Sequence, residues 1–416
     1  MNNFDNTNNF KSKLWIVTEL FYPDQTSTSF IVSKIADKMM KKYNVNVITD
    51  SSLYQENKFL TDKNFQIDSD IKIHRVISRK TDKNNLSQRT IKIISLSIKL
   101  SKFLFKNVQK GEKVFIVTNP ALLLVVLSWL RSIKKFQLFV LVHDVFPENT
   151  IPSGILKSNK SIIYKIISSV FNCAYSATDG LIVLGRDMKE LVERKVRRNN
   201  KNNMPSIHII ENWADIENIK PYKNKASLLI ERHKEKYITI QYAGNIGRLQ
   251  GLENFLQIFS ISTNKYLHFD LWGNGALGDS LKQWVRQHNL SKRVKFHGSY
   301  ARDEQNAILN STDIALVTLS VGMFGLGVPS KTYNILAAGK PVFYIGDLNS
   351  EIALMIKESK VGYCFSPDDT KGILTFLNNL TVDMLYEMDE KGRNARVVAE
   401  EQYSEEKILS RYMQIL

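Results

Sequence analysis

Cysteine is scarce in this chain. Among 416 residues only Cys173 and Cys364 carry thiols; they lie far apart without ligand spacing, so a reducing compartment is expected rather than a disulfide framework. The seven histidines do not pair at metal-site intervals, and no resident zinc is expected. Long apolar runs are missing too. The apolar stretch 120–130 falls well short of the ~20 residues that span a bilayer, and it reads as a buried helix. The polar residues 1–9 lack the apolar centre of a signal peptide and read as a disordered lead-in. Neither zinc-finger spacing nor the aromatic-glycine signature of a single-strand-binding sheet is present, so nucleic acid is not an expected partner. Acidic residues are in deficit, 41 against 57 lysines and arginines, for a formal net charge of +16. That balance points to anionic substrates or an acidic membrane surface.

A chain of this length suits two domains of about 200 residues each, and its 43% hydrophobic and 24% charged residues are those of a soluble globular protein. The most informative stretch runs from Gly325 to Pro341. Apolar runs at 313–319 and 342–345 flank it, of the kind that fill buried parallel strands, so the segment reads strand, loop, helix, strand. Gly325 and Gly327 free the loop backbone for close approach to a ligand. Pro329 suits the start of the helix, and Gly339 with Pro341 its end. The free N–H groups there, the Ser330 and Thr332 hydroxyls and the Lys331 ammonium can converge on one anion, most simply a phosphate. The alternative at this point is an ordinary βα corner.

Earlier in the chain, 13–18 is a first strand. A loop holding Ser27, Thr28 and Ser29 follows, then a helix from about Phe30 with Ile31, Ile35 and Met39 on one face, and a strand at 45–49. Ligands bind at the carboxyl ends of such strands. Between 87 and 110, Ile91, Ile94, Ile98 and Phe105 recur at helical spacing, while Lys92, Lys99, Lys102 and Lys106 share the remaining surface with Ser95 and Ser101. This basic amphipathic helix reads as one packed on the sheet with a solvated lysine face, or as one that rests on anionic lipid, and the two readings are compatible. The strand at 138–142 ends in His143-Asp144-Val145-Phe146-Pro147-Glu148. Asp144 beside His143 suits binding or acid–base work there, or else caps a neighbouring loop.

The basic stretch 194–201 reads as a solvated loop that could also touch phosphates. The apolar pattern lapses at 221–225, which marks a domain boundary. In the second half, strands at 237–243, 269–272 and 294–297 run into Gly244-Asn245-Ile246-Gly247-Arg248, Gly273-Asn274-Gly275 and Gly298-Ser299-Tyr300. With the loop at Gly325, four strands end in glycine turns at one sheet edge. Together they favour a phosphorylated ligand over the plain corner.

These motifs resemble the GT-B glycosyltransferases, specifically the retaining enzymes of family 4. The resemblance covers nearly the whole chain in order. It includes Phe21-Tyr22-Pro23, His143-Asp144 through Glu148, Glu211-Asn212-Trp213-Ala214-Asp215, the glycine turns at 244 and 273, and Val328-Pro329-Ser330-Lys331-Thr332-Tyr333-Asn334 through Pro341. The last motif resembles the bacterial surface-polysaccharide branch, with its O-antigen, colanic-acid and N-acetylfucosamine transferases. The implied fold is α/β, two doubly wound Rossmann-like domains facing across a cleft. Residues 1–218 would bind the acceptor and 219–399 the nucleotide sugar, with a C-terminal helix at about 400–416 crossing back.

The resemblance also assigns roles. Gly244, Asn245, Ile246, Gly247, Gly273, Asn274, Ser299, Tyr300, Pro329, Ser330, Thr332 and Asn334 would hold the donor, a UDP-linked sugar, with the base near Ser299 and Tyr300. Lys331 and Arg248 would meet the negative charge that grows on the diphosphate as the sugar leaves. His143 and Asp144 would face the sugar and the incoming hydroxyl, and Ser27, Thr28, Ser29 and Glu148 the acceptor.

The wider family frames the phosphate turn with two glutamates, where this chain has Leu326 and Asn334, and it has Arg and Lys in the first glycine turn, where this chain has Asn245 and Gln250. Asn334 keeps the ability to hydrogen-bond a ribose hydroxyl. No cofactor and no metal are expected. The acceptor implied is a polyprenyl-diphosphate-linked saccharide at an anionic cytoplasmic membrane surface, which makes the protein cytoplasmic, bacterial and peripheral on the inner face of the plasma membrane. Two other readings stay open: a UDP-sugar 2-epimerase of the same fold, and a non-catalytic nucleotide-sugar-binding partner.

Overall fold

In the computed structural model the described residues are 11–24, 26–51, 66–78, 86–197, 204–222 and 237–416. The lead-in at 1–9, residues 198–201 of the basic stretch and the boundary residues 223–225 lie outside them. Seven parallel strands build the first sheet: β1 Lys13–Val17, β2 Asn44–Asp50, β3 Lys72–Val76, β4 Lys113–Val117, β5 Gln137–Val142, β6 Gly180–Val183 and β7 Ser206–Ile209. Their order is β3-β2-β1-β4-β5-β6-β7. Helices cover both faces of such a sheet, so its central strands are apolar at successive positions rather than alternating; Leu14 to Val17 and Val114 to Val117 are all buried.

The helices of this half are α1 Ser27–Met39, α2 Leu86–Asn107, α3 Ala121–Lys134, α4 Ile162–Ser176 and α5 Arg186–Arg197. Side chains set where two of them start. The Thr26 hydroxyl accepts from the Ser29 N–H at 3.2 Å, and the Ser161 hydroxyl accepts from the Tyr164 N–H at 3.2 Å.

Four expectations are corrected here. Helix α1 does not wait for Phe30: with Thr26 as its cap, Ser27, Thr28 and Ser29 form its first turn and not a loop. The apolar stretch 120–130 is not a wholly buried helix, because α3 buries Leu123, Leu124, Leu127 and Leu130 on one side and turns Trp129 to solvent on the other. The basic stretch at 194 is not a loop as far as Arg197, because its first residues close α5, and Lys195 is buried. Helix α2 is turned about its axis from the core-packed reading of its isoleucines. Leu96, Leu100 and Leu104 form its buried side with Ser97 and Ser101, whereas Ile91, Ile94, Ile98 and Phe105 are exposed. The leucine stripe carries small serines beside it, so the helix can approach the sheet closely there. Lys92 also points inward, to Asp50 at 3.5 Å and Glu19 at 3.8 Å.

The second sheet has six parallel strands: β8 Ile238–Ala243, β9 Leu267–Trp272, β10 Val294–Gly298, β11 Ile314–Thr318, β12 Val342–Ile345 and β13 Gly362–Phe365, in the order β10-β9-β8-β11-β12-β13. Its helices are α6 Leu252–Ser260, α7 Gly278–Gln287, α8 Gln305–Asn310, α9 Lys331–Ala337, α10 Glu351–Ser359, α11 Thr370–Asn379 and α12 Leu385–Glu401. The last helix, α13 Glu405–Ile415, returns to the first sheet. There Tyr412 meets Phe115 edge-on at 6.3 Å, and Lys34 donates to Glu405 at 3.0 Å. In each sheet the strand order reverses once, between β1 and β4 and between β8 and β11. Crevices for ligands open at such reversals.

One guanidinium ties the segment between the sheets to α9. Arg396 Nη1 donates to the Ile219 and Ala337 carbonyls, both at 2.7 Å, and Nη2 to the Ile216 carbonyl at 3.1 Å. Arg396→Met leaves these carbonyls without their charged donor. It is expected to lower stability by about 2–3 kcal/mol, read as a fall in denaturant midpoint with an unchanged slope; Arg396→Lys should recover only part of the loss.

Candidate functional site

Lys331 is the first residue of α9, and its side chain runs beneath the turn after β8. Its Nζ lies 3.4 Å from the centre of the Tyr242 ring. It is buried and has no hydrogen-bond partner. A Cβ on Gly244 would come within 3.1 Å of it, so only the glycine backbone roofs the ammonium. The Tyr242 hydroxyl donates to the Asn245 carbonyl at 2.6 Å, which fixes the ring. A cation over an aromatic face is attracted, yet an ammonium carries three donors that a ring cannot satisfy. Burial accordingly pushes the Lys331 pKa well below its ordinary 10.5. The ammonium is left with unmet donors.

The three glycine turns of this sheet interlock around it. The Gly244 N–H donates to the Trp272 carbonyl at 2.9 Å, Gly273 N–H to the Gly298 carbonyl at 2.7 Å, and Ile246 N–H to the Asn274 carbonyl at 3.0 Å. Gly273 has φ +121°, and a Cβ there would overlap the Gly244 carbonyl. Asn274 Nδ2 donates to Ser299 Oγ at 2.7 Å, and Tyr300 meets Trp272 edge-on at 6.3 Å. Ile246 is buried in the core, so it serves this surface through its backbone. Gly247 N–H donates to Gln250 Oε1 at 3.0 Å, whereas Asn245 and Arg248 are exposed at the rim. On α9 itself, Thr332 Oγ1 is buried without a partner. Asn334 is committed: its Oδ1 accepts from the Asp215 N–H at 3.1 Å, and its Nδ2 faces Gln305 Oε1 at 3.3 Å.

Across the cleft, His143 and Asp144 stand at the end of β5, where both backbone N–H groups donate to Thr118 Oγ1 at 3.1 and 3.2 Å. The next N–H, of Val145, donates to the Leu326 carbonyl at 3.1 Å. A Cβ on Gly327 would sit 3.3 Å from the His143 carbonyl oxygen and 3.4 Å from Asp144 Oδ1. The two sequence motifs therefore touch. Burial drives the His143 pKa down to about 4 and the Asp144 pKa up to about 6, because desolvation disfavours whichever form is charged. His143 Nε2 is buried without a partner. Ser27 Oγ, on the first residue of α1, lies 3.1 Å from Ser330 Oγ, joining the start of α1 to the turn before α9, and the buried Ser29 Oγ has no partner. Thr28 is half-buried beside it.

Glu148 is held from below, by Lys195 Nζ at 2.6 and 2.7 Å. Sequence reasoning missed this lysine, and only the helical register of α5 could have turned it inward. It missed Tyr242 as well, which looks like any core aromatic of an alternating strand. Asp187 is a third such residue: its Oδ2 accepts from the Gly325 N–H at 3.2 Å, where Gly325 has φ +70° and closes the turn against α5.

The chain is 34% identical over 400 residues to WbjE of Pseudomonas aeruginosa, a probable glycosyltransferase, covering 95% of both. The model of the family "Glycosyl transferases group 1" matches residues 226–394. The chain belongs to the group 1 glycosyl transferases. It is also 25% identical over 175 residues to WcaI of Escherichia coli (strain K12), named as a candidate colanic acid biosynthesis glycosyl transferase, over 42% of each chain. Among solved structures, HepE of Anabaena in complex with UDP-glucose aligns with TM-score 0.68 over 97% of this chain and 100% of its own, at 14% identity. The two-sheet arrangement is the GT-B fold.

In this glycosyltransferase the unpartnered Lys331 ammonium makes a stability prediction of its own. The folded protein holds Lys331 below 10.5, so the unfolded chain binds that proton more tightly, and stability rises with pH between the folded value and 10.5. Lys331→Met removes the buried amine and is expected to raise the ligand-free melting temperature at pH 7. The gap to the unmodified protein should close as the pH approaches 10.5, which thermal melts across a pH series would read.

Proposed function

We propose that this enzyme transfers a sugar, with retention, from a uridine diphosphate donor to a polyprenyl-diphosphate-linked saccharide during assembly of a bacterial surface polysaccharide. In this reading the sugar is an N-acetylated deoxyhexosamine, and the reaction takes place at the cytoplasmic leaflet. The observation that carries the donor half is the buried, unpartnered Lys331 Nζ beneath the Gly244 turn. The bound UDP-glucose of HepE supports the choice of uridine, and the name of WcaI supports the choice of pathway class.

The chemistry follows from charge. As the anomeric C–O bond breaks, negative charge grows on the diphosphate and positive charge on the ring, so a cation fixed at the leaving group lowers the barrier. Lys331 takes that role, and Arg248 closes on the diphosphate from the rim. The incoming hydroxyl attacks from the leaving group's face and gives its proton to the departing phosphate oxygen. Asp144 orients that hydroxyl as a carboxylate, and His143, neutral at pH 7, offers Nε2 to a sugar hydroxyl. With the Asn334 amide already engaged, its part is to hold Asp215 and α9 in place rather than to grip the ribose. The two cations make a metal unnecessary, so activity should survive EDTA.

A thermal-shift panel of UDP, GDP, ADP and dTDP tests the donor site. UDP alone is expected to raise the melting temperature, by the few degrees that saturation at about 100 times Kd brings, and Lys331→Ala should abolish the shift. Equal shifts from all four, or a shift that persists in the variant, would move the donor elsewhere. Asp144 titrates near 6 in the folded protein, so the transfer rate should fall as the pH drops below about 6. Asp144→Asn is expected to lower the rate about 100-fold and to flatten that acid limb, measured as UDP release with a lipid-linked acceptor.

A further inference from the structure

We propose that the outer face of α2, α3 and α4 is a bilayer-docking surface that inserts its isoleucines and Trp129 among the acyl chains of an anionic leaflet. The proposal deepens the reading of a membrane-bound acceptor and rests on it for its purpose, though not for its evidence. The three helices lie side by side, α3 between the other two. Each turns large apolar residues to solvent: Ile91 (58% exposed) and Ile98 (54%) on α2, Trp129 (65%) and Ile133 (52%) on α3, and Ile162 (74%) and Ile166 (60%) on α4. Scattered exposed hydrophobes are ordinary in a soluble protein, but a contiguous field of them marks an interaction surface.

The charge around that field selects the occupant. None of the three helices contains an Asp or a Glu, whereas Lys102, Lys106 and Lys165 are exposed on them. Lys134 Nζ stands 4.4 Å from the centre of the Phe105 ring, a cation seated on the apolar field itself. Two copies docked through this face would bring lysines against lysines with no acid on either side. An anionic leaflet offers acyl chains for the apolar residues and phosphates for the lysines at once. Among the described residues no helix is long and apolar enough to cross a membrane, so the helices lie in the interface plane. The face is also mechanically joined to the cleft, since Phe171 of α4 stacks on Phe146 of the His143-to-Glu148 loop at 6.0 Å.

The test uses the full chain with vesicles of phosphatidylglycerol and phosphatidylethanolamine, and with phosphatidylcholine vesicles for comparison. The protein is expected to float with the anionic vesicles and at least tenfold less with the neutral ones. Trp129 should shift its emission to the blue and be quenched by brominated acyl chains, and Trp129→Phe should remove that signal without preventing flotation. Combined Trp129→Ser, Ile133→Ser, Ile162→Ser and Ile166→Ser should weaken vesicle binding at least tenfold. A retained melting transition and UDP shift in that variant show that it is folded and keep the donor question separate. Flotation unchanged in the combined variant overturns the proposal. So does a chain that ignores vesicles but is a dimer, with the combined variant a monomer.

Discussion

A lysine ammonium held out of water with no carboxylate beside it is the constraint on which the second domain depends. The Tyr242 face returns only part of what hydration would give Lys331, so the surrounding structure must prevent α9 from moving outward to wet it. It does so at both ends of a helix of seven residues. Ser330 meets Ser27 at the first turn, Asn334 holds the Asp215 N–H in the middle, and Arg396 grips the Ala337 carbonyl at the last. These partners belong to the other domain, to the segment between the domains, and to α12, whose Arg396 also holds that segment. Fixing the charge and fixing the domain arrangement are therefore one task.

The same economy governs the cleft. The loop at Gly325 to Gly327 is bonded to the first domain through Gly325 with Asp187 and Leu326 with Val145. Beside it, Arg186 spans to Glu351 and Glu358, and Arg302 lies over the Phe30 ring at 3.3 Å. A displacement of the Gly325-to-Gly327 turn would break the bond to Val145, the residue next to His143 and Asp144. Their opposite pKa shifts have one origin, the exclusion of water between the two loops. At neutral pH that exclusion leaves an imidazole without charge next to a carboxylate that keeps most of its own. The pair can thus accept and orient hydroxyl groups without a fixed positive charge facing the ring that becomes cationic in the proposed reaction.

The strand–glycine–helix repeats were legible because parallel strands buried on both faces leave an apolar run that ends abruptly, and Gly244, Gly273 and Gly298 mark those ends. Side-chain direction was less legible. Nothing in the residue types distinguishes Arg248, which reaches the solvent, from Lys331, whose ammonium is buried; only the path of the backbone does. Asn334 stands where a ribose contact was expected, but its amide is used by Asp215, a residue more than a hundred positions away. Lys195 lies in a stretch so basic that a solvated loop is its natural reading, and the carboxylate that draws it inward, Glu148, arrives from the end of another strand. Long-range polar pairing of this kind leaves no local pattern.

Helix α2 shows the same limit in apolar form. Its sequence carries two stripes, the isoleucines with Phe105 and the leucines at 96, 100 and 104, and periodicity alone ranks the first as readily as the second. The sheet can bury only one of them, and the serines beside the leucines decide which. The other stripe is left facing outward on a helix without a single acid, next to two more helices in the same condition. A domain that merely needed to fold would gain solubility from carboxylates placed there. Their absence from all three helices, while the segments around them retain acids such as Glu112 and Glu148, makes the net charge of +16 a matter of placement. Lys102, Lys106, Lys134 and Lys165 stand on the helices of the apolar field, and that field is coupled through Phe171 and Phe146 to the loop that carries Asp144.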